Sequence, residues 1–360
     1  MFTEMLSPRL RERVLESSLM KVLTWPQGVD SFTEVVDPAW THKEGRATIT
    51  AVRWQTPRSV TLTLTPNGLG EQLFSKFRAG QHVNVSVEID GRRHSRCYSP
   101  VNAEGDTATI ELTVGLHDGG LVSTHLYKNA RPGMVLGIGA PAGDFVLDPA
   151  ARRILLVSGG SGITPMIAML RTLRANGHTG EVAFVHYART GDELAYAQEL
   201  RAVAAAGAAT VLFGFTRSDD GDLVGHVNAD HLATAMAHPE AVYVCGPGAL
   251  VNAVREVHPE ARSESFVPPS FTPGEASGGL VSFVDSDVFV EDDGKTLLEQ
   301  AEAAGLKPEF GCRMGICHGC TKLKSRGVVK NLNTGAVSNA EAEEIQICVT
   351  VPCGDVDVEL

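Results

Sequence analysis

Three cysteines within a span of nine residues constrain the fold of this chain more than any other feature of its sequence. Cys312, Cys317 and Cys320 have the spacing C-x4-C-x2-C, and further cysteines follow at Cys348 and Cys353. This pattern is typical of a two-iron two-sulfur (2Fe-2S) cluster, which needs four thiolate ligands. Zinc is the alternative, but zinc sites usually contain two C-x2-C pairs and this segment has one. Disulfides are less favoured, because cysteines so close together suit a metal better than bridges.

Glycine residues stand next to these cysteines, at Gly311, Gly315 and Gly319. A residue without a Cβ atom lets backbone N–H groups approach the sulfur atoms of a cluster. The fourth ligand stays open on the residues alone. Cys348 lies in the alternating run Ile-Gln-Ile-Cys-Val, which predicts a strand, and Cys353 follows a proline at a predicted turn before the last strand of the chain.

The composition is that of a soluble protein with several domains. The chain has 360 residues, 43% of them hydrophobic and 21% charged, which predicts two or three domains with their own cores. The net charge of −12 disfavours nucleic-acid binding, and it serves either an acidic face for a basic redox partner or solubility alone. We expect no transmembrane segment and no signal peptide, and therefore a location in the reducing cytoplasm.

Residues 43–148 show short alternating runs that turn residues separate at frequent intervals. The pattern predicts an antiparallel Greek-key β-barrel, with strands over residues 47–55, 59–65, 82–89, 107–114 and 135–140. Residues 96–99 read Arg-Cys-Tyr-Ser, which suits a phosphate and an aromatic ring system. Residues 119–124 read Gly-Gly-Leu-Val-Ser-Thr and place glycine backbone and hydroxyl groups at a helix N-terminus, where a pyrophosphate can bind. Either motif is weak alone.

Residues 149–265 begin with a strand, a glycine loop and a helix. The loop at residues 158–165 reads Ser-Gly-Gly-Ser-Gly-Ile-Thr-Pro, which lets backbone N–H groups approach a pyrophosphate. Its glycines do not follow G-x-G-x-x-G, so it is not the common Rossmann fingerprint. Strands and helices then alternate, with helices expected over residues 192–205 and 228–237, which predicts a doubly wound parallel α/β sheet.

Two arginines follow strands of this predicted sheet, at the edge where ligands bind. Arg189 and Arg217 each have hydroxyl neighbours, and together they can hold the 2′-phosphate of NADPH. The alternative is an NADH-dependent protein in which such an arginine is a solvated loop residue. A later strand ends at Cys245. Without a functional role, this cysteine would simply be a small buried residue at a strand end.

The remaining segments flank these domains. Residues 1–42 form an N-terminal extension with apolar residues at helical spacing, which predicts a helix that packs on its own protein or meets a membrane or partner. Residues 266–279 are rich in proline, glycine and serine and predict a linker. Residues 280–360 form the third domain, in which residues 293–304 predict a turn and a capped helix before the cysteine loop.

This third domain resembles the plant-type ferredoxins in its cysteine loop and in the capped helix that precedes it. The resemblance implies a β-grasp α+β fold with a 2Fe-2S cluster. It also selects the fourth ligand, because the family places its last cysteine before a short run and a proline. The implied ligands are Cys312, Cys317, Cys320 and Cys348, and Cys353 is then a spare thiol.

In their order and separation, the motifs of residues 43–265 resemble the ferredoxin-NADP reductase superfamily. The resemblance implies that the barrel binds FAD rather than FMN, with Arg96 at the phosphate, Tyr98 at the ring and Ser99 near the flavin N5. Further residues implied to bind FAD are His82, Cys97, Gly119, Gly120, Val122, Ser123 and Thr124. Gly115 replaces a basic residue that the family often carries, which leaves the phosphate contacts on that side open.

For the nicotinamide nucleotide, the resemblance places Thr164 beside the nicotinamide and Cys245 near its C4 atom, where hydride passes to flavin. With Ser99, these are the predicted catalytic residues. Further residues implied to bind the nucleotide are Gly159, Gly160, Ser161, Gly162, Pro165, Arg189, Arg217, Gly246 and Pro247.

The three modules in this order imply a short electron-transfer chain. NADPH gives two electrons as hydride and a 2Fe-2S cluster takes one at a time, so a flavin must stand between them. The chain resembles the reductases of bacterial oxygenase and desaturase systems, including the phenylacetyl-CoA oxygenase reductase type. That implies a separate protein acceptor, a di-iron desaturase, hydroxylase or oxygenase component, to which this protein is peripheral when the acceptor is membrane-bound.

Two other functions remain open as alternatives. One is a redox sensor or binding module, whose cluster NADPH does not reduce. The other is a self-sufficient oxygenase, which is disfavoured because no Glu-x-x-His pair supplies a second iron site.

Overall fold

The computed structural model describes residues 37–41, 43–264, 266 and 278–360. These residues form three domains, each built on a six-stranded sheet. The helix predicted within residues 1–42 and most of the predicted linker lie outside the described residues. No helix in the described part of the chain is long and apolar enough to cross a membrane.

The first domain contains an antiparallel sheet, which confirms the predicted fold class. Its strand order is β4-β3-β6-β1-β2-β5, and its strands are β1 Arg46–Thr56, β2 Ser59–Pro66, β3 Val83–Ile89, β4 Arg92–Tyr98, β5 Ile110–Gly115 and β6 Val135–Ile138. Its helices are α1 Gly68–Phe74 and α2 Leu121–Asn129. Our sequence analysis assigned neither α1 nor β4. β4 reads Arg-Arg-His-Ser-Arg-Cys-Tyr and no residue in it is fully buried, so it lacks the apolar alternation that marks a strand.

The second domain contains a parallel sheet in the order β10-β9-β8-β7-β11-β12, as predicted. Its strands are β7 Arg153–Gly159, β8 Glu181–Ala188, β9 Thr210–Phe215, β10 Leu223–Val224, β11 Ala241–Cys245 and β12 Arg262–Glu264. Its helices are α3 Ile163–Ala175, α4 Ala197–Ala205, α5 Ala229–Ala235 and α6 Gly248–Val257.

The helix predicted from residue 192 begins only at Ala197. The preceding residues, Leu194, Ala195 and Tyr196, are buried, and Tyr196 has a left-handed backbone with φ of 59°. Its hydroxyl group forms a hydrogen bond with Thr113 of the first domain. Packing between the domains therefore overrides helix propensity in this segment.

The first two domains share one hydrophobic core, which runs from β1 and β2 to α3 and β8. Arg171 on α3 adds polar contacts across the boundary, because its Nη1 atom donates to Glu111 Oε2 at 2.8 Å and to the Val101 carbonyl at 2.9 Å. The same guanidinium group pairs with Glu199 of its own domain at 2.7 Å. These contacts hold the first and second domains in one relative orientation.

The third domain has a mixed sheet and a separate hydrophobic core. Its strands are β13 Leu280–Phe283, β14 Val288–Glu291, β15 Thr321–Asn331, β16 Val337–Ser338, β17 Glu343–Gln346 and β18 Thr350–Val358. Helix α7, Leu297–Ala303, carries the predicted threonine cap, since the Thr296 side chain accepts a hydrogen bond from the Glu299 N–H group.

The local structure at two cysteines differs from prediction. Cys348 lies in a turn between β17 and β18 rather than in a strand, and Cys353 lies inside β18 rather than at a turn before it. The turn forms because the Ile347 N–H group donates to the Cys320 carbonyl and the Val349 N–H group donates to the Gln346 carbonyl. It directs Cys348 toward the cysteine loop.

Candidate cofactor sites

The loop between α7 and β15 brings the clustered cysteines together. The sulfur atoms of Cys312 and Cys317 lie within 4.8 Å of each other, and Cys97 of the first domain joins them within the same distance. Backbone N–H groups point at these sulfurs: that of Cys312 donates to Cys317 Sγ at 3.1 Å, and that of Met314 donates to Cys312 Sγ at 3.3 Å. A Cβ atom at Gly311 would lie 2.5 Å from Cys317 Sγ, so the loop requires glycine there.

Cys320 and Cys348 complete the set of four thiols predicted as ligands. The interaction between their side chains lowers the pKa of Cys320 and raises the pKa of Cys348, and burial raises the pKa of Cys348 further. None of the seven cysteines forms a disulfide, and all seven lie in the described part of the chain. Free thiols on one loop, with N–H donors to the sulfurs of Cys312 and Cys317, fit a 2Fe-2S cluster, and the choice of all four ligands stays a prediction.

A second group of polar side chains lies where the first two domains meet. Ser99 is 2% exposed, and its Oγ atom has no hydrogen-bond partner among the described residues. Val83 pairs with Tyr98, which brings His82 opposite Ser99 at the adjoining register. His82 is also buried, and neither of its ring nitrogens has a hydrogen-bond partner within the described ranges. Buried polar atoms left unpaired in this way point to a bound polar group, which fits the flavin.

The predicted pyrophosphate motif lies at the start of α2. Gly119 has φ of 77°, and the N-cap residue Gly120 provides no side-chain cap, so the first N–H groups of the helix are available to an anion. Ser123 is buried and Thr124 is half-buried beside them, while Val122 packs in the core. This geometry fits the pyrophosphate of FAD.

Arg96 and Tyr98 lie on β4 and are half-buried. Burial raises the pKa of Tyr98, so its hydroxyl group stays protonated. The Arg96 guanidinium group lies 5.7 Å from the ring centre of Phe310, which belongs to the third domain. The assignment of Arg96 to the flavin phosphate stays a prediction.

A cavity of about 480 Å³ opens between the first and second domains. Of the residues predicted to bind the nicotinamide nucleotide, those that line it are Gly159, Gly160, Ser161, Thr164, Arg189, Gly246 and Pro247. Thr113, Gly115 and His117 line it from the first domain, and Phe266 lines it from the end of the second. The volume lies in the range of small-molecule sites and the lining comes from both domains.

The glycine loop lies directly against the end of β11. A Cβ atom at Gly162 would lie 2.2 Å from the carbonyl oxygen of Cys245, so the two backbones approach as closely as glycine allows. Cys245 is fully buried, and burial raises its pKa well above the usual value, which keeps the thiol neutral. Thr164 donates to the Ser161 carbonyl at 3.2 Å and stabilises the loop. Thr164 lines the cavity, whereas Cys245 is not among the described residues that line it, so the role of Cys245 in hydride transfer stays a prediction.

Arg189 and Arg217 follow adjacent strands of the parallel sheet, and a backbone hydrogen bond of 2.9 Å joins them. Arg189 lines the cavity and pairs with Glu193 at 3.5 Å. Arg217 is exposed and is not among the described residues that line the cavity. The two arginines, which the sequence does not distinguish, therefore differ in the structure: Arg189 lines the cavity and Arg217 does not.

Sequence reasoning missed three residues at these sites. Glu264 pairs in register with Cys245, and its Oε1 atom lies 3.6 Å from His82 Nδ1. Arg58 lines the cavity from the turn between β1 and β2 and pairs with Asp118 at 2.9 Å, which raises the pKa of Arg58. No local motif marks either residue, because each reaches its site only through a contact between distant segments. The third, Asn84, lies at the cysteine loop.

Comparison with known proteins agrees with this arrangement. Residues 70–147 match the family described as oxidoreductase FAD-binding domain, residues 156–256 match the oxidoreductase NAD-binding domain, and residues 283–353 match the 2Fe-2S iron-sulfur cluster binding domain. The fold and its sites therefore define an NAD(P)H-dependent flavin oxidoreductase of the ferredoxin reductase type. The predicted cofactors FAD and a 2Fe-2S cluster are confirmed.

Similar proteins extend over the whole arrangement. An NADPH oxidoreductase of Mycobacterium tuberculosis is 32% identical over 347 residues, which cover 92% of this chain and 89% of that protein. The glycine betaine monooxygenase reductase subunit of Pseudomonas aeruginosa is 26% identical, over an alignment that covers 79% of this chain and 87% of that protein. The solved structure of phthalate dioxygenase reductase shares the fold, with a TM-score of 0.60, 22% identity, and coverage of 88% of this chain and 97% of that one.

The chain belongs to the ferredoxin-NADP reductase superfamily, in the group that carries a C-terminal plant-type 2Fe-2S domain. It is a reductase in which electrons pass from NAD(P)H through FAD to the cluster.

Proposed function

We propose that this protein is an NADPH-dependent reductase that delivers electrons singly to a separate oxygenase, or to a fatty-acyl desaturase or hydroxylase. The observation that carries the proposal is the order of the three sites. The nucleotide cavity reaches Gly246, the residue that follows Cys245, while Ser99 and His82 are buried in the first domain and the cysteine loop contacts the β3–β4 hairpin of that domain. Bound FAD supplies the conversion between hydride transfer and single-electron transfer.

The acceptor is proposed from the similar proteins. Several of these are reductase subunits that are named for an oxygenase partner, among them those for stachydrine N-demethylase and glycine betaine monooxygenase. The desaturase or hydroxylase rests on the family resemblance, which includes the segment Asp-Pro-Ala-Trp at residues 37–40. We place the protein in the reducing cytoplasm, where its free thiols are preserved, and peripheral to a membrane when its acceptor is membrane-bound.

The residues of the chain position the reactants. Gly159 and Gly160 bring backbone N–H groups to the nucleotide at the start of the helical segment, and Thr164 lies in the cavity lining beside the place of its nicotinamide ring, with Cys245 buried next to the lining residue Gly246. The buried position excludes water from the transferred hydride. Ser99 holds its hydroxyl proton at the flavin N5 position.

An anaerobic titration with NADPH tests the proposed function. We expect the flavin and cluster absorbance bands to bleach together, because the cysteine loop of the third domain contacts the flavin domain directly. NADH is expected to bleach them more slowly. A protein whose cluster bands persist while NADPH reduces the flavin, or that NADPH does not reduce at all, would instead be a redox sensor or a binding module.

Nucleotide preference gives a separate prediction. Arg189→Ala is expected to raise the KM for NADPH about tenfold and the KM for NADH less than about twofold, since a guanidinium–phosphate contact is a charged hydrogen bond. Arg217→Ala is expected to have the smaller effect, because Arg217 lies outside the cavity lining in the described structure. Steady-state kinetics with both nucleotides measures this. Equal losses with NADPH and NADH would contradict the assignment of Arg189 to the 2′-phosphate of NADPH.

A further inference from the structure

The cysteine loop contacts the flavin domain through one short stretch of the β3–β4 hairpin. Asn84 Nδ2 donates to the Cys317 carbonyl at 3.2 Å. The sulfur of Cys97 lies within 4.8 Å of the sulfurs of Cys312 and Cys317. A Cβ atom at Gly311 would lie 3.7 Å from a backbone carbonyl oxygen of β4. The loop and the hairpin are therefore in direct contact at both backbone and side chains.

Asn84 and Cys97 act as one unit in this contact. They face each other in the β3–β4 register, and the Cys97 thiol donates to Asn84 Oδ1 at 3.2 Å. The Asn84 carboxamide thus accepts with its oxygen from the flavin domain and donates with its nitrogen to the cysteine loop. Because both ends are used, its orientation is defined, and with it the position of the Cys317 carbonyl group.

The rest of the third domain does not depend on this contact for its fold. Its hydrophobic core is formed by its own residues, from Val281 to Val358, and is separate from the core of the first two domains. A further contact at this hairpin is the Phe310 ring beside the Arg96 guanidinium group. A few contacts at the hairpin therefore fix the position of the third domain relative to the first. We expect the third domain to keep its fold when they are lost, because its hydrophobic core is its own.

We propose that Asn84 and Cys97 are positioning residues that hold the cysteine loop, and the cluster it binds, at a fixed distance from the flavin. The two cofactors then exchange electrons with the third domain docked, and the domain does not swing between two positions for that step. The proposal rests on the proposed function in one respect: electrons pass from flavin to cluster. The contact itself can be tested without electron transfer.

Hydrogen–deuterium exchange of the holoprotein tests the contact. In Asn84→Ala, we expect exchange of the backbone amides in residues 311–317 to increase about tenfold, because the loop opens more easily once its anchor is lost. Asn84→Asp, which has nearly the same shape but no N–H donor, is expected to act likewise. Asn129→Ala is the matched control, since that exposed side chain binds only within its own helix at His125. Unchanged exchange in both Asn84 variants would overturn the proposal.

Two electronic measurements test the role of the contact. An EPR-monitored redox titration of Cys97→Ala is expected to give a less negative cluster midpoint potential than wild type, because the Cys97 thiol donates its proton to Asn84 Oδ1 and so presents its sulfur lone pairs to the two ligand sulfurs, which disfavours the added charge of the reduced cluster. Cys353→Ala is the control and is expected to keep the wild-type potential. Stopped-flow absorbance should show flavin-to-cluster transfer slowed about tenfold in Asn84→Ala.

The outcomes separate this proposal from the proposed function. If NADPH reduces neither centre in wild type, the function is wrong, and exchange and the mediated redox titration still decide whether the contact exists. If NADPH reduces both centres and both variants match wild type in potential and transfer rate, the positioning role is wrong while the function stands.

Discussion

Replacing Cys348 by serine is expected to remove the cluster. Cys348 lies in the turn between β17 and β18, and the interaction of its side chain with Cys320 lowers the pKa of that thiol. A serine oxygen is a harder ligand than a thiolate and suits iron–sulfur chemistry poorly. Purified Cys348→Ser protein should show flavin absorbance without cluster bands and without an EPR signal after reduction. Ferricyanide reduction, which needs the flavin alone, should persist.

Cys353→Ser is the matched control for this prediction. Cys353 lies inside β18, the strand that follows the same turn, so the two cysteines differ by five positions and share the same domain. We expect the control to keep its cluster bands and its EPR signal. Loss of the cluster in Cys353→Ser with retention in Cys348→Ser would reverse the ligand assignment.

Replacing Gly162 by alanine is expected to block hydride transfer from the nucleotide. The added methyl group would lie 2.2 Å from the Cys245 carbonyl oxygen and 2.7 Å from the Gly246 nitrogen. Both are backbone atoms at a strand end, so the glycine loop must shift by about an ångström, and misplacement of that size costs about 100-fold in rate. Stopped-flow reduction of the flavin by NADPH measures the loss.

Gly248→Ala is the control for Gly162→Ala. Gly248 begins α6, close to the same site, and nothing lies within 4 Å of a Cβ atom placed there. The control should reduce its flavin at a rate within about twofold of wild type, since helix starts accept alanine readily. Flavin reduction at the wild-type rate in Gly162→Ala would show that the loop and β11 separate easily, and would weaken the hydride-transfer assignment.

The cysteine loop shows how far a local pattern reaches. The spacing of Cys312, Cys317 and Cys320 predicted the cluster, because ligands from one tight loop are close in space whenever they are close in sequence. The local structure around Cys348 was predicted wrongly as a strand. Alternation of apolar residues does not separate a strand from a buried turn when both sides of the turn are packed.

At the nucleotide site, too, the sequence predicted the consecutive residues and missed those that distant segments contribute. The glycine loop at residues 158–165 was recognised because strand, loop and helix are consecutive in the chain. Glu264 escaped notice, although it pairs in register with Cys245 and approaches His82. Strand pairing within the second domain brings Glu264 to Cys245, and the docking of the first two domains brings His82 to Glu264.

The sequence by itself determined the three modules, their order and their cofactors, because the motifs that mark each cofactor are short contiguous stretches whose residue types its chemistry requires. The tertiary structure alone decided which of Arg189 and Arg217 meets the nucleotide cavity, and that Asn84 and Cys97 contact the cysteine loop. Such contacts depend on the relative placement of domains with separate patterns, and no local pattern encodes the distance between two domains.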